Sequence, residues 1–163
     1  MIKGLHHNAY RCRDSEETRK FYEDFLGLPL ADAFEIKVTK TGRGTSVLHS
    51  FYRLGDGSFL AFFEAPAQPF AFKAQHDFDL HIALETDQAT QEALFAKGKA
   101  AGIETRGVAD HGFIRSIYFR DPNGYVIELS VPTETAADYA AEAEKGAHAA
   151  LALWQETKPV GQE

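Results

Sequence analysis

The sequence predicts an α+β fold: two βαβββ modules forming one curved mixed-sheet domain around a pocket, followed by a C-terminal helix. Three observations predict it. The order strand, helix, three strands occurs twice, separated by a Pro-containing linker. A weak echo joins the halves, because His7 stands seven residues before Asp14 and His81 stands six before Asp87. An Ala-rich run of low amphipathicity follows the second half.

Residues 4–13 read as the first strand. Asp14 or Ser15 can cap a helix whose first turn carries Glu16 and Glu17, where the helix dipole favours anions. Phe21, Tyr22, Phe25 and Leu26 form its apolar stripe, and Gly27 closes it. Strand-like runs follow at about 31–40, 45–54 and 58–64, with turns at 42–44 and 55–57. Residues 65–76 carry two Pro and no clean period, which marks a linker. The second module repeats the order, with a strand over 78–86, a helix over 87–101 ending at Gly102, and strands over 103–108, 113–120 and 125–131. Lys97 and Gly98 interrupt that helix's stripe. Asp121-Pro122-Asn123-Gly124 is a strong turn signal. The domain is therefore expected over 1–133, with modules at about 1–66 and 77–133 and a helical extension and tail over 134–163. That helix should pack on the domain or on a partner subunit.

Composition removes several classes. A formal net charge of -7 and the lack of any basic run argue against nucleic acid. No apolar stretch approaches the roughly 18 residues of a membrane span, and the N-terminus turns polar at once, so neither a membrane partner nor a secretory leader is expected. The single Cys, Cys12, excludes an internal disulfide and a thiolate zinc cage. A reducing cytoplasm suits it, and alternation with Tyr10 reads it as a packed thiol.

Strand alternation sorts the chemistry-bearing residues. Leu80, Ile82 and Leu84 form the packed face of one strand, so His81 faces the other way. Tyr125, Ile127, Leu129 and Val131 pack in another, leaving Glu128 and Ser130 opposite. Ile117 and Phe119 pack, leaving Ser116 and Tyr118 opposite. His7 is the counterpart of His81 under the echo. Two His and one carboxylate suit a divalent metal, either the facial set of non-haem Fe(II) or a catalytic zinc set, and the sequence does not choose between them. A single strand His is ordinarily a surface or core-edge residue, so spacing alone leaves that reading open as well.

Four stretches resemble the vicinal oxygen chelate superfamily of glyoxalases, extradiol dioxygenases, fosfomycin-resistance enzymes, epimerases and bleomycin-binding proteins. They are Leu5-His6-His7-Asn8-Ala9 with Asp14, residues 21–28, residues 79–84 and residues 116–129. The resemblance covers about residues 3–132. It implies metal ligands at His7, His81 and Glu128. Its fourth ligand position falls on Ala61 or Phe62, neither of which ligates, and Glu64 lies two or three residues late. A three-ligand site resembles extradiol dioxygenases more than glyoxalase I. Tyr118, ten residues before Glu128, matches the acid/base-assisting Tyr of those enzymes, and His111 lies near their outer His. The resemblance thus implies a ring-cleaving dioxygenase-like enzyme acting on a catechol-like or vicinal-oxygen substrate. Fe(II) is the first choice of metal, with Mn, Zn and Ni as alternatives. Tyr118 and His111 are the catalytic candidates, Phe51, Phe62 and Phe63 the apolar walls, and a homodimer the expected assembly. The alternatives are a glyoxalase- or epimerase-type lyase or isomerase using Glu64 as base, a thiol transferase of the resistance type, and a non-catalytic drug-binding module.

Overall fold

The computed structural model describes residues 1–74 and 76–159. The first module contains β1 (Tyr10–Cys12), α1 (Ser15–Arg19) with a wider π-type continuation over Lys20–Phe25, β2 (Leu30–Val38), β3 (Gly44–Arg53) and β4 (Phe59–Glu64). The second contains β5 (His81–Glu85), α2 (Gln88–Ala100), β6 (Thr105–Asp110), β7 (Ile114–Arg120) and β8 (Val126–Pro132), and α3 (Ala136–Thr157) follows. Each module builds its own four-stranded mixed sheet, ordered β1-β4-β3-β2 and β5-β8-β7-β6. In both, the first strand runs parallel to the fourth and the other pairings are antiparallel. The duplicated order expected from the sequence is therefore present strand for strand.

The first strand is shorter than expected. Only Tyr10–Cys12 pair continuously, and His7 joins through an isolated bridge to Phe59. Between them the side-chain Oδ1 of Asn8 accepts the Ala61 N–H at 2.9 Å, where a ladder carbonyl would otherwise sit. Asp14 caps α1 by accepting the Glu17 N–H at 2.8 Å. The helix then widens, with the Leu26 N–H reaching the Phe21 carbonyl five residues back. The widening turns Phe21, Tyr22 and Phe25 inward together. Gly27 ends the segment at φ +82°, a conformation that costs Gly little.

The modules share one core. Tyr22, Tyr52, Leu60 and Phe62 from the first meet Ile117, Phe119 and Ile127 from the second. Phe25 stands edge-on to Phe119, with centroids 5.1 Å apart. The Asp121–Gly124 turn fastens the halves. Asp121 accepts from the buried Tyr22 hydroxyl at 3.0 Å, and Asn123 Oδ1 accepts the Arg13 N–H at 2.8 Å. Burial pushes the Asp121 carboxyl above its ordinary range, against the donors from Asn123, Tyr125 and Tyr22 that pull it down. Losing the Asp121 carboxylate would leave the buried Tyr22 hydroxyl unpaired, at about 1–3 kcal/mol.

Two apparent flaws in the α2 stripe have physical causes. The Lys97 ammonium donates to the carbonyls of Asp24 and Phe25, both at 2.8 Å, and so closes the end of the first module's helix. Gly98 lets β6 and β7 approach, since a Cβ there would lie 2.6 Å from Thr105 Oγ1 and 2.7 Å from Phe119 Cε1. Cys12 is buried, and that burial raises its thiol pKa.

The C-terminal helix forms as expected and meets the domain near its start, with none of its described residues buried. It is held at its start by Tyr139 stacked on Phe113 at 4.1 Å and by Thr133 and Thr135 hydroxyls donating to the Gly112 carbonyl. Leu151, Leu153 and Trp154 are exposed. Of the expected tail over 158–163, residues 160–163 lie outside the described residues. No helix among the described residues is long and apolar enough to cross a membrane.

Candidate metal centre

Strand β8 directs Ile127 and Leu129 into the core, which leaves Glu128 on the opposite face. Glu128 is only 5% exposed, and its Oε1 accepts from the Ser130 hydroxyl at 2.9 Å. β5 lies parallel beside it and places His81 on the same face. His81 Nδ1 sits 2.7 Å from the Asp77 carbonyl, a contact that requires Nδ1 to carry the proton. In that tautomer Nε2 presents a lone pair, and it faces Glu128 Oε2 at 3.1 Å. With His81 neutral, a partly exposed imidazole and a buried carboxylate converge as acceptors on one point, where both would hold a cation. This donor set, with a backbone carbonyl orienting the imidazole, fits a divalent metal.

Tyr118 is the direct β7 partner of Glu128. Burial first, and the Glu128 charge second, raise its phenol pKa, so it remains a neutral donor near neutral pH. Its hydroxyl lies 3.2 Å from His111 Nε2. His111 is exposed, so Glu128, Tyr118 and His111 form a line from the buried carboxylate to solvent.

His7 lies elsewhere. It packs on the first module's sheet, 5.5 Å from the Phe51 ring and 6.2 Å from the His49 ring, with its Nδ1 2.8 Å from that of His6. Among the described residues, no three His, Cys, Asp or Glu side chains within the chain are grouped to hold a metal. The fold thus joins His81, Glu128, Tyr118 and His111, and leaves His7 on the other sheet.

That sheet carries an aromatic face. His49 stacks on Phe63 at 3.7 Å, Phe34 lies over Phe51 at 6.0 Å, and Phe51 meets Phe59 edge-on at 5.9 Å. A cavity of about 440 Å³ opens against it, lined by His6, Ala31, Asp32, Phe51, Arg53 and Phe59. Of the expected walls, Phe51 and Phe63 belong to this face. Phe62 does not: the β4 register turns it toward the helix, where it packs on Tyr22 at 4.7 Å. Glu64 shares that side and accepts the Ser15 N–H at 2.7 Å, so it is not placed as a base facing His7. His49 was passed over in the sequence. It is 6% exposed and Nδ1 contacts the Phe62 carbonyl at 3.0 Å. The available signal was its position two residues before Phe51 on one strand. Asp77 and Arg106, which support His81, carried no local signal.

The family model described as Glyoxalase/Bleomycin resistance protein/Dioxygenase superfamily matches residues 4–129. No curated protein sequence matches the chain significantly. Among solved structures, the chain resembles a glyoxylase/bleomycin resistance protein/dioxygenase domain from Frankia sp. EAN1pec, at 17% identity and TM-score 0.65, covering 82% of this chain and 100% of that one. It resembles the fosfomycin resistance protein FosX from Listeria monocytogenes, complexed with Mn(II) and sulfate, at 21% identity and TM-score 0.62, covering 84% and 98%. It also resembles TnmS3, an antibiotic binding protein from Streptomyces sp. CB03234, at 22% identity and TM-score 0.58, covering 81% and 98%. These likenesses share the fold. With the family model spanning both modules, the chain belongs to the glyoxalase/bleomycin resistance protein/dioxygenase superfamily.

Proposed function

We propose that the protein is a metal-dependent enzyme of the extradiol, ring-cleaving kind, acting on a catechol-like substrate. The divalent metal, Fe(II) in this reading, is held by His81 and Glu128 of one chain and His7 of a second copy in a homodimer. The observation that carries the reading is the mutual facing of His81 Nε2 and Glu128 Oε2 beside Tyr118 and His111. When bound, the metal supplies Lewis acidity and a meeting point for two substrate oxygens and O₂. The chain's own residues do the rest. Glu128 balances the cation's charge, while Ser130 fixes its orientation. Neutral Tyr118 donates a hydrogen bond to a reacting oxygen. His111 exchanges that proton with solvent, being exposed and within 3.2 Å. The aromatic face beside His7 offers flat, water-poor walls for a ring. Both atoms of O₂ enter the product, so no external reductant is required. The lyase or isomerase alternative loses support because Glu64 is committed to Ser15.

The test is metal content of anaerobically purified protein, with O₂ uptake on a panel of catechols. About one iron per chain, with uptake abolished in His81→Ala, is expected. Zinc, nickel or manganese without uptake would favour the lyase or isomerase, and a metal-free protein would leave a binding module. Mixing His7→Ala with His81→Ala chains tests the shared site. A second-copy ligand predicts regained metal binding, because each mixed dimer holds one complete set. Closure within one chain predicts none.

A further inference from the structure

We propose that Arg106 is a positioning residue that sets the orientation of both His81 and Tyr118. The inference rests on the metal-site reading above for its consequence, and on observed contacts for its mechanism. Arg106 stands opposite Tyr118 in the β6–β7 register. Its guanidinium donates to both carboxylate oxygens of Asp77, at 2.7 and 3.0 Å, the two-pronged geometry that a planar fork makes and an ammonium cannot. The same group lies 5.4 Å from the Tyr118 ring centroid, in cation–π range.

Asp77 is the other half of the device. It belongs to the turn that ends the linker, where Asp79 and Leu80 N–H groups reach back to the His76 carbonyl. Its own carbonyl takes the His81 Nδ1 contact at 2.7 Å. The carboxylate therefore anchors the residue whose backbone oxygen selects the His81 tautomer. One guanidinium holds the turn behind the imidazole and the face of the phenol, and so fixes the angle between them. Arg106 itself touches neither metal nor substrate in this account. Outer partners of ligating imidazoles commonly change metal affinity by about 10–100-fold when removed.

The experiment uses full-length protein carrying Arg106→Lys, Asp77→Asn, or both, with Glu104→Gln as the control that removes the carboxylate 3.3 Å from Arg106 Nε but leaves the Asp77 fork intact. Mn(II) affinity is read by calorimetry. The His81 Nδ1–H resonance is read by ¹⁵N-labelled histidine NMR without metal. The expected result is about a 10-fold or greater loss of Mn(II) affinity in each single variant. The double variant should be no weaker than the worse single one, because both changes break one fork. A His81 Nδ1–H signal protected by the Asp77 carbonyl is expected in wild type, lost in the singles and kept in Glu104→Gln. Wild-type affinity with the signal retained in both single variants would overturn the proposal. So would additive losses in the double variant. If Arg106→Lys fails to fold, Asp77→Asn, which keeps the backbone carbonyl, decides alone. If wild type binds no Mn(II), the metal reading fails while the NMR arm still judges the Arg106 clamp.

Discussion

The Asp77 carboxyl lies below its ordinary value of 3.8, chiefly because Arg106 hydrogen-bonds its charged form. A carboxyl with a lower pKa folded than unfolded adds stability above the ordinary value and loses it as pH falls through the folded value. Wild type should therefore lose Tm faster than Asp77→Asn on acidification below about pH 4. Both side chains are partly exposed, so the difference should be about 1 kcal/mol or less, a few degrees in Tm. Asp121 titrates with the opposite sign, since burial raises it, and it is common to both proteins and cancels. Thermal melts by circular dichroism from neutral to acid pH check this. Parallel curves would show that the fork adds nothing to folding. At this scale the sequence was partly legible. Strand alternation placed Glu128, Tyr118, Ser116 and Ser130 on one face, because β7 and β8 have a strong packed set to alternate against. It misplaced Phe62, because β4 is apolar on both faces and only pairing sets its parity. It missed Asp77 and Arg106, whose partnership spans 29 positions.

Helix α2 shows how an element can violate its own propensity for a neighbour's sake. An exposed helical Gly→Ala ordinarily gains up to about 1 kcal/mol. At Gly98 the new methyl would meet the Thr105 hydroxyl and the Phe119 ring at 2.6 and 2.7 Å. Overpacking of this kind costs about 1–3 kcal/mol. Gly98→Ala should therefore lower Tm by several degrees, measured by thermal unfolding, whereas a rise would mean that the sheet gives way easily. The helix itself was visible from Asp87 to Gly102, with its stripe broken at Lys97 and Gly98. The interruption is where α2 meets the first module, through Lys97, and β6 and β7, through Gly98. No period within one helix reports such contacts. The first strand's shortness was hidden for a related reason: the Asn8 side chain, a polar group in an apparent strand, replaces a ladder bond.

Over the whole molecule, the duplicated order was legible because helix and strand periods alternate cleanly and turn residues separate them. How His7 meets the other ligands was not, since spacing cannot say whether a partner lies in the same chain. The C-terminal helix raises the same issue. It extends for 22 residues without a buried side chain. Removing residues 134–163 should leave the Tm of the isolated domain within about 2 °C while lowering helical ellipticity, because no core area is lost. A large drop in Tm would show that the helix is covered in solution.

The Tyr22–Asp121 bond spans 99 positions, and the Arg13–Asn123 bond spans 110. A nascent chain therefore completes the first module's residues long before it can finish that module's interior. At about 5–20 residues per second, the Tyr22 hydroxyl waits on the order of ten seconds for its acceptor to be synthesised. Through that interval the emerging half holds an apolar helix with an unmatched hydroxyl and an open aromatic sheet. Translation of the last strands is thus the step that commits both halves to their native form.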